Sequence, residues 1–265
     1  MAPLKHLSAS AISDYLECPM LHYGRRIAHW PETKPPFLIS ALTLGSVVDK
    51  ALTGYHRGEN PEAMLTRLWS ALVTFPLVWS DGYRRALEMI RAYTSNVQPQ
   101  TGDVCQAFFS LDIQGIPIPV IGYRDVVRGS QTHEIKTTSS ATLWTQEKAD
   151  TELQGSVYWL AFVQANPGKR PTLIYHILRH GEDTTYTEIK TKRTDADMLR
   201  TRALIRGTWE AMKDGELTAK CKQGRCRFPD RCTEYGYQPG VTDSPQEMVV
   251  SGVRESPVAG WEAFT

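Results

Sequence analysis

The chain has 265 residues, with 30 Lys and Arg against 29 Asp and Glu, a formal net charge of +1. A hydrophobic fraction of 41% and a charged fraction of 22% exclude wholesale disorder, collagen-like repeats and disulfide-dense scaffolds. The length suggests one large domain or two small ones, and the charge excludes a globally basic nucleic-acid binder without excluding a local basic groove.

The first predicted element is a helix from about Ser8 to Cys18, with Ile12, Tyr15 and Leu16 at helical spacing and Pro19 disfavouring its continuation. The stretch Trp30–Pro36 holds three prolines and reads as a loop. A second helix is expected over Leu44–Tyr55, and helical character from about Pro61 to Asn96 with an interruption at Phe75-Pro76. Alternation then takes over: Val104 to Ile113, Ile118–Val127 and Thr132–Thr137 read as strands, the last two joined by an Arg128-Gly129-Ser130 turn. A helix over about Thr145–Gln164, strands over Thr172–Leu178 and Thr184–Ile189, and a helix over Asp195–Lys213 follow. The mixture predicts an α/β or α+β core. The N-terminus, MAPLKHLSAS, has no apolar signal core. The longest apolar stretches, near 71–79 and 157–163, fall well short of the ~20 residues that span a bilayer. The expectation is a soluble, cytoplasmic protein with no membrane partner.

Asp125, Glu134 and Lys136 are the most informative residues. Residues i and i+2 of a strand share a face, so Glu134 and Lys136 can serve one site while Ile135 packs inward; a hairpin brings Asp125 beside them. Two carboxylates make a hard oxygen site for Mg²⁺ or Mn²⁺. Such an ion polarises a phosphate and acidifies a bound water, while a lysine orients the water and offsets developing charge. Spacing alone leaves open a plain surface Glu–Lys pair. Two further features favour the site: Gln154 and Tyr158, which share a helix face at i and i+4, and Leu44-Gly45-Ser46-Val47-Val48-Asp49, which sets an acid upstream.

The five cysteines are Cys18, Cys105, Cys221, Cys226 and Cys232, an odd count that argues against a disulfide framework. Cys221-x4-Cys226-x5-Cys232 is a tight thiol cluster that needs a fourth ligand. Cys18 is the candidate, and Cys105, in a strand, reads as a core thiol. Spacing leaves zinc and an iron–sulfur cluster both open. Arg25, Arg26, Arg84, Arg85, Arg124 and Lys148 are candidate contacts to a nucleic-acid backbone. Tyr123, Trp144, Tyr158 and Trp159 are candidates for stacking on single-stranded bases, with core packing the other reading of the two tryptophans.

From Leu7 to Cys232 the chain resembles the PD-(D/E)XK nuclease superfamily, in its RecB-like branch with an iron–sulfur cluster. The resemblance rests on Leu7-Ser8-Ala9-Ser10 with Tyr15-Leu16-Glu17-Cys18-Pro19, Gly122-Tyr123-Arg124-Asp125, Glu134-Ile135-Lys136, Gln154-x-x-x-Tyr158 and the C-terminal cysteines, in that order. It implies a restriction-endonuclease-like fold: a central mixed sheet flanked by helices, a helical N-terminal lobe, and a cysteine-ligated cluster joining the two ends. The domains implied are a lobe over 1–100 carrying Cys18 and Asp49, a nuclease core over 101–220, and a cluster segment and tail over 221–265. Asp49, Asp125, Glu134 and the Ile135 carbonyl would bind metal. Asp125, Glu134, Lys136, Gln154 and Tyr158 would form the catalytic set. Cys18, Cys221, Cys226 and Cys232 would hold a [4Fe–4S] cluster, with zinc as the other occupant. Arg25, Arg26, Arg124 and Tyr158 would contact DNA. The implied activity is a metal-dependent DNA exonuclease acting on single strands or ends in recombination, repair or CRISPR-type processing. The alternative is a catalytically silent or partner-dependent DNA-binding subunit of a repair or CRISPR-adaptation complex. Two departures stand out. Asp49 replaces the family's usual His, and the first C-terminal cysteine spacing is x4 where x2 is usual.

Overall fold

The computed structural model describes residues 4–31, 41–72, 76–140, 144–215, 228 and 231. They fall into two compact units, each discontinuous in sequence. The smaller is chiefly Ala11–Thr33 with the chain from Thr208 on, and the larger is Pro3–Ser10 with Lys34–Gly207.

The larger unit is built on a mixed sheet of β1 (Val104–Leu111), β2 (Val120–Arg128), β3 (Gln131–Thr138), β4 (Thr172–Arg179) and β5 (Thr185–Thr191), in that order across the sheet. The β1–β2, β2–β3 and β4–β5 pairs are antiparallel. A two-residue loop joins β2 to β3, with Gly129 at φ 58, a left-handed conformation that glycine adopts without a Cβ penalty. The β3–β4 pair is parallel, and a parallel pair needs a crossover. Helices α6 (Gln146–Thr151) and α7 (Leu153–Ala165) supply it. The sequence predicts one helix here. The structure breaks it at Glu152, whose ψ of 125 is extended. The Ala149 carbonyl, freed at the break, needs a donor, and buried Arg193 provides it: Nη2 donates to Ala149 O at 2.8 Å and also to Glu152 O at 3.2 Å, which Ser156 N shares, and Nε donates to Ser156 Oγ at 2.8 Å.

Three helices precede the sheet: α3 (Ala41–His56), α4 (Pro61–Leu72) and α5 (Pro76–Thr94). Asn60 starts α4 by accepting from Ala63 N at 2.9 Å, and Pro61 sits where a missing N–H costs nothing. Leu44, Val47, Val48, Ala51 and Leu52 form a continuous apolar stripe on α3. They pack with Leu65 and Trp69, with Met89, Ile90 and Tyr93, and with Ile135 and Leu178 from the sheet. Ile135 therefore turns into the core, as the alternation predicts. In α7 every residue from Gly155 to Phe162 is buried, the pattern of a crossover helix covered all round.

Helix α8 (Asp195–Lys213) has the predicted bounds. Thr194 and Asp197 cap it reciprocally: Asp197 N donates to Thr194 Oγ1 at 3.2 Å and Thr194 N donates to Asp197 Oδ2 at 2.8 Å. The Thr194 hydroxyl, which donates to Asp197 Oδ2 at 2.6 Å, and then the Thr194 N–H hold the Asp197 carboxyl down at about 2.

In the smaller unit α1 (Ala9–Glu17) stops before Cys18, whose φ of −163 and ψ of 116 are extended. Pro19 then starts a new helix, α2 (Pro19–His22), and a π-helical turn follows over Tyr23–Ile27. Pro19 thus ends one helix and opens the next, because a proline is tolerated at a first helical position. Asp14 accepts from Arg25 Nη1 at 2.7 Å and from Arg26 Nε at 3.1 Å and Nη2 at 2.9 Å. Trp30 packs edge-on against Phe228 at a centroid distance of 5.6 Å.

Beneath the sheet, His133 Nδ1 and His176 Nε2 lie 2.9 Å apart, and His176 Nδ1 is 2.8 Å from Tyr186 Oη. Burial pushes His133 down to about 4 and His176 to about 3. An unfolded imidazole takes up a proton below about pH 6.5, whereas the folded pair stays neutral. The unfolded state binds more protons there, so stability is lost as pH falls from about 6.5 towards about 4. We expect the imidazole NMR signals of His133 and His176 not to titrate between about pH 7.5 and pH 5, while the urea midpoint declines below about pH 6. Movement of either ring's signal with a midpoint near 6.5 contradicts this.

Candidate active site

The site forms where β2 and β3 part. They pair only over Val126↔His133, Val127↔Thr132 and Arg128↔Gln131. Continued in register, Asp125 would face Glu134. Instead the ladder ends, and the Ile135 N–H donates to Asp125 Oδ2 at 2.8 Å. Further along β2 the exposed edge is taken by the N-terminal segment: Leu7 N donates to Pro119 O and Ile121 N to Leu7 O, both at 2.9 Å. The sheet therefore forks, and the functional side chains meet in the fork.

A single hydrogen-bonded chain crosses it. Lys136 Nζ donates to Glu134 Oε1 and to Gln154 Oε1, each at 2.6 Å. Gln154 Nε2 donates to Tyr158 Oη at 2.6 Å, and Tyr158 Oη donates to the Tyr123 carbonyl at 2.8 Å. The predicted i, i+4 pair of α7 thus acts in series: Tyr158 orients Gln154, and Gln154 orients the ammonium. Both residues lie near the start of α7, and Gly155 seats that start. A Cβ on Gly155 would stand 2.1 Å from Tyr175 Oη and 3.2 Å from Arg193 Nη2. On α3, Gly45 plays the matching part, since a Cβ there would come within 2.8 Å of Thr137 Oγ1. Asp49, one turn on, shares the Gly45 face.

The charges are strained in a consistent way. Burial and the neighbouring Glu134 push Asp49 up to about 6. Asp125 is pushed well above the usual carboxylate range by burial, then by Glu134 and Asp49. Lys136 is raised despite its burial, because Glu134 holds its proton. Glu134 is only 5% exposed, and its Oε2 is a buried oxygen with no hydrogen bond among the described residues. Asp49 makes no hydrogen bond among the described residues. In a strand the N–H and C=O of one residue share an edge, so the Ile135 carbonyl also faces the fork. Acceptor oxygens that raise one another's proton affinity, one of them bare and buried, are a donor set for a hard divalent cation. Among the described residues, however, no three His, Cys, Asp or Glu side chains stand close enough to form a ready-made cage.

The proposed backbone contacts divide sharply. Arg25 and Arg26 are both engaged by Asp14. Arg84 pairs with Asp81 and Glu88, Arg85 with Asp81, and Lys148 with Glu152. Arg124 differs: it is half-buried, has no ion pair among the described residues, and its Nε lacks a hydrogen bond. Trp159 is core at 1% exposure, and Trp144 packs on Tyr175. Cys18 is half-buried and its thiol is free. Its proposed partners Cys221, Cys226 and Cys232 lie outside the described residues. Sequence reasoning missed Arg193, which carries no local signature because its partners are backbone carbonyls about 40 residues away.

The family model of the PD-(D/E)XK nuclease superfamily matches residues 6–233. No curated protein matches the chain. Among solved structures, a protein from Eubacterium rectale described as a putative exonuclease has a TM-score of 0.59 at 15% identity, covering 91% of each chain. That likeness shows the fold. LHK-Exo, solved in complex with dAMP, has a TM-score of 0.36 at 14% identity over 80% of this chain and 89% of its own. Among the described residues no helix is long and apolar enough to cross a membrane.

A carboxyl whose folded pKa is raised costs stability once ionised. Asp49→Asn removes one of the mutually repelling charges. It should raise the metal-free stability at pH 7 by on the order of 2 kcal/mol, seen as a higher thermal midpoint, and shrink the further rise on adding Mg²⁺. Calorimetry with and without chelator checks both; a lowered metal-free midpoint would contradict the repulsion.

Proposed function

The chain belongs to the PD-(D/E)XK nuclease superfamily, and from that premise we propose that the fork is the active site of a metal-dependent DNA exonuclease acting on single strands or DNA ends. The observation that carries this reading is the Glu134–Lys136–Gln154–Tyr158 chain, ending at one side on the bare, buried Glu134 Oε2. Asp49, Asp125, Glu134 and the Ile135 carbonyl are the residues to hold Mg²⁺ or Mn²⁺. Such an ion, when bound, polarises the phosphodiester and acidifies a water. The protein's own contribution is positional. Lys136 presents a cation to the negative charge that grows on the phosphate. Gln154 and Tyr158 restrict where that cation can sit, and Asp125 keeps the fork open by occupying the Ile135 N–H. An idle site would have no reason to retain buried carboxyls that repel one another, which disfavours a catalytically silent DNA-binding subunit. The family's setting in recombination, repair or CRISPR-type processing of cytoplasmic DNA, with the proteins of those assemblies as partners, belongs to the same proposal.

Lys136→Ala and Glu134→Ala should each reduce cleavage of end-labelled DNA by about a thousandfold or more with little change in fold by circular dichroism. Because Asp49 is a harder ligand than imidazole, Mg²⁺ should support activity at least as well as Mn²⁺. Near-wild-type turnover by either variant, or activity confined to Mn²⁺, counts against the assignment.

We further propose that Cys18, Cys221, Cys226 and Cys232 hold a [4Fe–4S] cluster. Support comes from the smaller unit. Phe228, two residues beyond Cys226 in sequence, packs on Trp30 and against Gly24, where a Cβ would stand 3.1 Å from its ring. The segment following Cys18 and Phe228 thus share one compact unit. The protein as purified should be brown and contain iron and sulfide. Cys18→Ser should lose both and unfold more readily, while Cys105→Ser should keep them. A colourless wild-type protein containing zinc and no iron overturns the cluster.

A further inference from the structure

Two large aromatic rings stand in solvent beside the fork. Phe108 is 55% exposed and Tyr123 56%. They are direct partners in the β1–β2 register, with ring centroids 5.5 Å apart. Neither ring meets any other ring. Burying this pair would cost nothing in hydrogen bonds except at the Tyr123 hydroxyl, yet the fold leaves it open.

Its position ties it to the site. Tyr123 gives its carbonyl to Tyr158 at the end of the lysine-orienting chain. Asp125 lies two residues further along β2, about 6.6 Å by strand rise and on the same side of the strand. Arg124, between them in sequence, points to the opposite face of the strand, where its side chain is near enough to Tyr158 for the two to interact electrostatically. An exposed aromatic pair on the Asp125 side of the strand, next to a phosphodiester site, calls for a ligand that carries a flat ring beside its phosphate.

We propose that Phe108 and Tyr123 form a stacking platform for an unpaired nucleobase, and that this platform selects single-stranded DNA over duplex at the Asp125 site. The proposal rests on the nuclease reading above. A base inside a duplex has both faces occupied by its neighbours and offers nothing to the rings; a splayed base offers a free face.

The test is fluorescence anisotropy of labelled oligothymidylate and of a duplex of equal length, in chelator, with the full chain. Phe108→Ala and Tyr123→Ala should each weaken single-strand binding about tenfold and duplex binding less than about twofold. Phe108→Trp and Tyr123→Phe should restore it, since each keeps a ring. The platform is overturned if the alanine variants bind the single strand like wild type, or lose both ligands equally. It is also overturned if gel filtration shows that they dissolve a dimer formed through the β1 edge while DNA affinity is unchanged. A wild-type protein that neither binds nor cuts any DNA overturns the nuclease reading itself; one that cuts DNA with unaltered alanine variants overturns the platform alone.

Discussion

One hydrogen bond shapes this site: the Ile135 N–H to the Asp125 carboxylate at 2.8 Å. In an unbroken antiparallel ladder that N–H would meet a carbonyl of β2. A buried N–H must find an acceptor, and here a side chain from the neighbouring strand takes the backbone's place. The ladder therefore stops at Val126↔His133, and β2 and β3 diverge. Every other feature of the site depends on that opening. It admits Lys136 and Glu134 from β3, gives Tyr158 access to the Tyr123 carbonyl, and leaves an edge of β2 for Leu7 to occupy.

The opening would be costly if its lining were loose, because buried carboxyls and an ammonium tolerate little error in position. Two glycines and one arginine supply the rigidity. Gly45 lets α3 lie against Thr137 and brings Asp49 in, while Gly155 lets α7 lie against Tyr175 and brings Gln154 in. Arg193 satisfies the carbonyls at the α6–α7 break, immediately before Gln154. The site is thus held by backbone approach and backbone hydrogen bonding, with the charged groups left free for chemistry.

The near-zero net charge also acquires a physical meaning. Most of the surface arginines named above are already spent: Arg25 and Arg26 on Asp14, Arg84 and Arg85 on helix α5. What distinguishes Arg124 is its lack of such a partner among the described residues. A count of charges cannot make that distinction, since ion pairing is a matter of geometry.

Much was legible in the residues alone. The residues marked all five strands among the described residues, the first by its period-two alternation, and Ile135 turned inward between Glu134 and Lys136 as a pleated strand requires. The i, i+4 spacing of Gln154 and Tyr158 placed them together. These features are local, dictated by covalent geometry and by the need to bury apolar side chains. The helix break at Glu152 and its bracing by Arg193 were not legible, because both depend on partners distant in sequence. Residue order was enough to say which groups could do the chemistry and on which elements they ride. That β2 and β3 part where they do, so that one carboxylate opens the sheet and another is left buried and bare, came from packing in three dimensions, because a ladder's end depends on what competes for a single N–H there.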